Sequence, residues 1–271
     1  MNKKLFGVSN CINYINSGIT YLKEAHTWGD KITIIKYYLN TPFFFIDYLR
    51  GKKHNPFLPD GVTIKNKYGK FFCGKNKYSL AGFSSLNEPE IRERMRLKEG
   101  IAIDIGANGG MYTIPLAKML GSSGEVIAIE PEPNNIIILK KNIKLNGLRN
   151  VTVINKACFS KTGKMKLYLD EFGGSGTHSL IKKQSKNINV ETETLDNILK
   201  NLKIKNVGLI KIDVEGAEAD VLKGATKTLK KYHPKIIFEA WNEQYLKKVK
   251  KILNQFNYKI KQIVPENYLA Y

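Results

Sequence analysis

The sequence predicts an α/β protein built on a doubly wound parallel sheet. From Gly100 onward, short apolar runs alternate with segments of helical length and periodicity. Glycines sit where the apolar runs turn into helices, and several of those runs end in an acidic residue. A chain of 271 residues, 42% hydrophobic and 25% charged, has enough apolar material to bury such a core.

Residues 1–60 carry aromatic and aliphatic clusters, read as an N-terminal helical extension broken by Pro42 and by a turn-rich stretch at 51–61. Residues 61–98 follow as a hairpin and a lead-in helix. Two β-prone runs flank the turn Asn66-Lys67-Tyr68-Gly69, and Pro89 opens a helix in its first turn. The main domain is expected at 99–271. Its strands are expected at 101–105, 125–130, 151–157, 164–169, 188–193, 207–213, 235–239 and 258–264, and its helices at 111–120, 134–145, 217–229 and 241–254.

Composition narrows the function classes. The formal net charge is +20, which invites an anionic partner, yet only five of the 44 basic residues are arginine and the lysines spread along the whole chain. That pattern describes a lysine-rich solvated surface better than a face that reads nucleic acid. Cys11, Cys73 and Cys158 are far apart and form no Cys-x-x-Cys pair, so neither disulfides nor structural zinc are expected. The longest apolar stretch, 32–49, is interrupted by Lys36, Asn40, Pro42 and Asp47, and the first ten residues lack the apolar region of an export signal. The expected compartment is therefore the cytoplasm, with peripheral contact to an anionic membrane as an option.

Open parallel sheets bind ligands beyond the carboxyl ends of their strands, so the strand ends are where chemistry is sought. The first ends in Asp104-Ile-Gly106-Ala-Asn108-Gly109-Gly110. A dinucleotide fingerprint from Gly106 would need glycines at 108 and 111, where Asn108 and Met111 stand, and no Gly-Lys pair continues into Ser or Thr as a phosphate-cradling loop requires. An acid two positions before the first glycine suits instead a ligand with an ammonium beside a carboxylate, the amino-acid end of S-adenosylmethionine. The helix that follows should offer free N–H groups to that carboxylate. Glu130-Pro131 ends the next strand, where a carboxylate can accept ribose hydroxyls. Ala157, at the expected end of the third strand, can meet an adenine edge with its backbone N–H. Asp213, in Lys211-Ile-Asp213-Val-Glu215-Gly216-Ala-Glu218, is expected beside the first strand's end, near the sulfonium and ammonium charges. Glu218 reads as a cap on the helix that follows.

The run from Asp104 to Thr113, Glu130-Pro131, Thr194-Leu-Asp196, and Leu209-Ile-Lys-Ile-Asp-Val-Glu-Gly-Ala-Glu218, with Glu239 ending a later strand, resembles the FkbM family of S-adenosylmethionine-dependent methyltransferases. The resemblance spans roughly residues 85–265. It implies a class I methyltransferase fold, Rossmann-like, with seven strands of which the last is antiparallel. It also implies O-methylation of a sugar, glycan or natural-product hydroxyl. Gly109 stands where the family commonly carries Ile or Val. The cofactor-binding residues so expected are Asp104, Gly106, Asn108, Gly110, Thr113, Glu130, Pro131, Ala157 and Asp213.

Methyl transfer from a sulfonium needs alignment, exclusion of water and a base for the acceptor hydroxyl. Three residues are candidates for that catalytic work. His178 follows the glycines at 173, 174 and 176, Asp213 ends one strand and Glu239 ends another. Trp241 can stack on a sugar face. Asp213, Glu215 and Glu239 can also be imagined around a divalent cation, but no aspartate-rich spacing demands one, and none is expected. Two rival readings are an RNA methyltransferase, suggested by the charge, and a catalytically silent module lying on an anionic bilayer. Against the first, this chain has Asp213-Val-Glu-Gly where amino-group methylases of bases carry Asn/Asp-Pro-Pro-Tyr, and it has no Pro-Cys nucleophile there.

Overall fold

The structure is a computed structural model that describes residues 8–49, 61–74, 77–169 and 178–271. The chain forms two compact units, Met1–Asn87 and Glu88–Tyr271.

In the first unit, helices α1 (Val8–Glu24) and α2 (Trp28–Leu49) precede the hairpin β1 (Thr63–Asn66) and β2 (Gly69–Phe72) and a short helix α3 (Lys77–Phe83). Helix α2 runs through Pro42, where a break was expected. A proline costs a helix one donor and some crowding without forbidding its continuation. The hairpin forms as expected, with Asn66 paired to Gly69 across the turn. Ile34 of α2 and Ile64 and Phe71 of the hairpin are fully buried, and Phe71 stacks on Phe83 at 5.0 Å. Glu24 of α1 and Asp30 of α2 are also drawn in. Asp30 accepts the N–H groups of Thr27 and Thr63, each at 2.8 Å, and Glu24 accepts that of Ser85 at 3.0 Å.

The second unit opens with α4 (Pro89–Arg94), the lead-in helix with its early proline. Then come β3 (Gly100–Ile105), α5 (Thr113–Leu120), β4 (Gly124–Ile129), α6 (Pro133–Leu145) and β5 (Val151–Ile154), followed by β6 (Ala157–Cys158), β7 (Gly163–Leu169) and β8 (Lys186–Glu193). Helix α7 (Leu195–Asn201), β9 (Leu209–Ile212), α8 (Glu218–Lys223), α9 (Thr226–Tyr232), β10 (Lys235–Glu239), α10 (Glu243–Leu253), β11 (Ile260–Val264) and β12 (Asn267–Ala270) complete it.

Seven strands make one sheet in the order β11-β12-β10-β9-β3-β4-β5, with β10, β9, β3, β4 and β5 parallel and β12 antiparallel to both of its neighbours. This is the class I methyltransferase arrangement. Alternate residues of the central strands serve the two faces. Ile103, Ile105, Ile210 and Ile212 pack with Val221, Leu229 and Leu253 on one side. Ala102, Val126 and Leu209 pack with Leu116, Leu120 and Ile91 on the other.

Two expectations need correction, and one strand is added to those expected. The strand expected at 151–157 stops at Ile154, and Ala157 begins β6 in a separate sheet of order β6-β8-β7. Asn155 makes the break, its side-chain amide donating to the carbonyls of Glu130 and Pro131 instead of continuing the ladder. The helix expected at 217–229 is two helices. They part at Gly224, where a Cβ would stand 2.2 Å from the Phe159 carbonyl oxygen. The last expected strand ends at Val264, and the antiparallel strand β12 follows after a turn at Glu266, whose φ is +66°.

Candidate active site

The carboxyl ends of β3, β4, β9 and β10 bring Asp104, Glu130, Asp213 and Glu239 to one edge of the sheet, the register pairing Asp104 with Lys211 across β3 and β9. Asp104 is fully buried. Its Oδ2 accepts the Thr113 hydroxyl at 2.5 Å, while its Oδ1, also buried, has no hydrogen-bond partner. Burial pushes its carboxyl up to about 6, against the opposing pull of Thr113 and Lys211. A buried acceptor left open in this way costs stability unless a donor arrives. An open carboxylate oxygen is the acceptor that the ammonium of S-adenosylmethionine would need.

The turn after β3 is closed on itself and on the end of β4. Gly106 and Ala107 both donate to the Ile129 carbonyl, Asn108 to Glu130 Oε2 at 2.8 Å, Gly109 to its neighbour Asn108 Oδ1, and Gly110 to the Ala107 carbonyl. The N–H groups of 106–110 are thus spent within the protein, and a ligand carboxylate would have to replace one of these bonds. The glycines are required by the fold itself. At Gly106, φ +83°, a Cβ would stand 1.8 Å from the Asp213 carbonyl oxygen, and at Gly110, φ +99°, it would press on Leu139. The first contact locks the turn after β3 against the turn after β9.

Glu130 is buried, and burial raises its carboxyl to about 7. Besides the Asn108 N–H it accepts the Glu132 N–H at 3.0 Å and the Asn135 amide at 3.1 Å. Two carboxylate oxygens offer about four acceptor positions, so one remains on Oε2 for a hydroxyl and a second needs Asn135 to give way. Pro131 follows Glu130 on the way into α6, which Glu132 caps through the Asn135 N–H at 2.7 Å.

Lys211 carries no solvent exposure although it is a lysine in the middle of a sheet. Its Nζ lies 3.2 Å from Asp213 Oδ2 and 4.8 Å from the centre of the Tyr112 ring, and the Tyr112 hydroxyl bonds Glu88. Burial alone would lower its pKa, but the charges of Asp213, Glu88 and Glu239 outweigh that and raise it. Asp213, Glu215 and Glu239 converge so that one carboxylate oxygen from each lies within 4.8 Å of the others. Like charges this close cannot all ionise freely. Burial and the neighbouring carboxylates push Glu239 up to about 8 and Glu215 to about 9. Such a trio offers oxygen ligands of the type a divalent cation takes.

Residues 170–177, which carry the glycines before His178, lie outside the described residues. His178 is half-buried. It adjoins Ser179, whose N–H and carbonyl bridge Tyr168 and whose hydroxyl donates to the Glu215 carbonyl at 2.8 Å. Trp241 meets Tyr245 edge to face at 5.7 Å with the Lys182 ammonium 5.9 Å above its ring. Glu218 accepts the N–H groups of Val214 and Gly216, the capping role expected of it. Thr194 and Asp196 cap α7 and α9. Ala157 is buried in β6, one strand away from where the sequence placed it.

One residue was missed as a member of the site. Lys211 had a signal, since a lysine inside Leu-Ile-Lys-Ile has no place in a strand buried on both faces unless a charge meets it. Glu215, grouped with Asp213 and Glu239 in the sequence only around a cation, has a left-handed backbone, φ +55°.

The methyltransferase FkbM domain matches residues 104–260 of this chain. The chain is 24% identical over 170 residues to methyltransferase sdnD of Sordaria araneosa, a stretch covering 51% of this chain and 65% of that protein. It is 25% identical over 132 residues to hexuronic acid methyltransferase AglP of Haloferax volcanii, covering 49% and 52%. The match thus spans about half to two thirds of the length of these relatives. The crystal structure of a methyltransferase FkbM from Methylobacillus flagellatus superposes with a TM-score of 0.47 at 15% identity, over 97% of this chain and 60% of that one. With more than half of its length matched by the domain, the chain belongs to the FkbM family of methyltransferases.

Proposed function

We propose that this protein is an S-adenosylmethionine-dependent methyltransferase acting on a hydroxyl of a sugar, glycan or natural product. The observation that carries the reading is the unpartnered, fully buried Asp104 Oδ1 at the end of β3. Asp104 would hold the cofactor's ammonium, with Thr113 fixing its other oxygen. Glu130 would accept a ribose hydroxyl, and Ala157 and Pro131 would border the nucleoside. When bound, S-adenosylmethionine supplies a methyl group already activated on a sulfonium. The chain's part is alignment and proton removal.

The acceptor hydroxyl would be held among Asp213, Glu239 and His178. Lys211 pairs with Asp213 at 3.2 Å, and burial with the neighbouring carboxylates holds Glu215 and Glu239 well above the ordinary carboxylate range. An ionised carboxylate there, or the imidazole of His178, would take the hydroxyl proton. A sugar acceptor is supported by the half-buried Trp241, whose ring is of the type that stacks on a pyranose face, and by Lys182 beside it, a cation suited to an acidic sugar. The relative from Haloferax volcanii, a hexuronic acid methyltransferase by name, makes uronic acids and their glycans the first acceptors to try. Transfer of labelled methyl from S-adenosylmethionine to such glycans tests the reading. No transfer to any hydroxyl acceptor together with no cofactor binding would overturn it.

A further inference from the structure

We propose that the first unit holds this protein on an anionic lipid surface through one face of α2. Trp28, Ile32, Ile35 and Leu39 follow one another at four, three and four residues, the spacing of a single helical stripe. They are 79%, 50%, 44% and 66% exposed, and Ile19 of α1 lies beside them at 46%. The stripe spans about 16 Å of helix. A row of large apolar side chains standing in water is a cost that a solitary soluble surface rarely carries.

The charges around the stripe name its occupant. Lys23 and Lys36 are exposed, and the Lys31 ammonium sits 4.6 Å over the Trp28 ring. The two acids among the described side chains of these helices, Glu24 and Asp30, are buried and engaged with the backbone of Ser85, Thr27 and Thr63. What faces outward is therefore an apolar stripe bordered by lysines, within a unit whose sequence holds thirteen basic and four acidic residues. Apolar side chains entering the acyl boundary, a tryptophan at its edge and lysines reaching anionic headgroups are the chemistry of an interfacial helix. No helix among the described residues is long and apolar enough to cross a membrane, so α2 would lie along the surface. A second copy of the chain suits the stripe less well, because pairing the face with itself would set lysine against lysine.

Flotation of the full chain with vesicles of phosphatidylcholine alone, or with about a third phosphatidylglycerol, tests this. Binding is expected to the anionic vesicles, falling steeply as salt rises, and to be weak on the neutral ones. Trp28→Ser with Leu39→Ser should reduce it more than tenfold, and each of Lys23→Gln, Lys31→Gln and Lys36→Gln by about fivefold. Because these side chains are largely exposed, the thermal transition of each variant should stay within a few degrees of the parent, which separates lost binding from lost folding. Absence of binding to anionic vesicles, equal binding by the Trp28/Leu39 variant, or a concentration-dependent dimer that the same variant abolishes without any vesicle binding would each overturn the proposal. Cofactor affinity is a separate measurement, so failure here leaves the methyltransferase reading untouched.

Discussion

The ammonium of Lys211 stands 3.2 Å from Asp213 Oδ2, and no part of the lysine side chain reaches solvent. A buried ammonium is tolerable only where carboxylates surround it, and Glu88 and Glu239 add to Asp213 in doing so. Removing one partner strands the other. Lys211→Met is expected to destabilise the fold by about 2–3 kcal/mol, less than for a wholly buried pair because 24% of the Asp213 side chain still meets water. Adding Asp213→Asn should restore part of that loss, and a denaturation cycle over the four variants reads the coupling. A Lys211→Met protein as stable as the parent would show that the pair is dispensable.

Stability should fall as pH rises from about 5 to about 9. Asp104, Glu130, Glu239 and Glu215 have carboxyls raised to about 6, 7, 8 and 9 by burial first and by neighbouring acids. An acid raised in the folded state keeps a proton that the unfolded chain has already released, so unfolding gives up protons and higher pH favours it. That stability is fully present below the unfolded pKa and its loss is complete above the folded one. The slope is up to about 1.4 kcal/mol per pH unit for each proton involved. Melting temperatures across this range provide the check, with Glu130→Gln flattening the segment near pH 7. A flat profile in the parent protein would contradict the burial described for these groups.

The cofactor should be S-adenosylmethionine and not a nicotinamide dinucleotide. Glu130→Ala is expected to weaken its binding by about 1.5–3 kcal/mol, the range for a hydrogen bond to a charged group. Affinity should also rise between pH 5 and 7 as Asp104 ionises to meet the ammonium. Titration calorimetry with both ligands decides the matter. Preference for NAD, or an unchanged dissociation constant in folded Glu130→Ala, would sink the assignment.

His178→Ala should keep cofactor affinity and lower turnover by about 10²–10⁴ if the imidazole takes the acceptor's proton. Ser179, its neighbour, already bonds the main-chain carbonyl of Glu215, which ties the segment that carries His178 to the turn after β9. Full turnover in His178→Ala, with collapse in Asp213→Asn or Glu239→Gln, would move the base to a strand-end carboxylate.

RNA should bind weakly and with a steep salt dependence, as a dispersed lysine surface dictates. Electrophoretic shifts at about 150 mM salt measure this. Tight binding to one RNA, or methyl transfer to it, would reverse the ranking of acceptors.

The alternation of strands and helices, the acids at the ends of β3, β4 and β10, and the capping role of Glu218 are legible in the sequence, because each is written in short-range periodicity and local turn chemistry. The rest depends on segments far apart in the chain. That the N–H groups of 106–108 are spent depends on Ile129 and Glu130 arriving from the next strand, and Gly106 must be glycine because the distant Asp213 carbonyl lies against it. Lys211 became part of the site only when β9 was laid between β3 and β10, where burial strengthens every charge around it. The apolar residues of α2 are legible in the sequence, but which of them face outward is not, and only the burial of Ile34 against the exposure of Trp28, Ile32, Ile35 and Leu39 shows which face of the helix the fold uses.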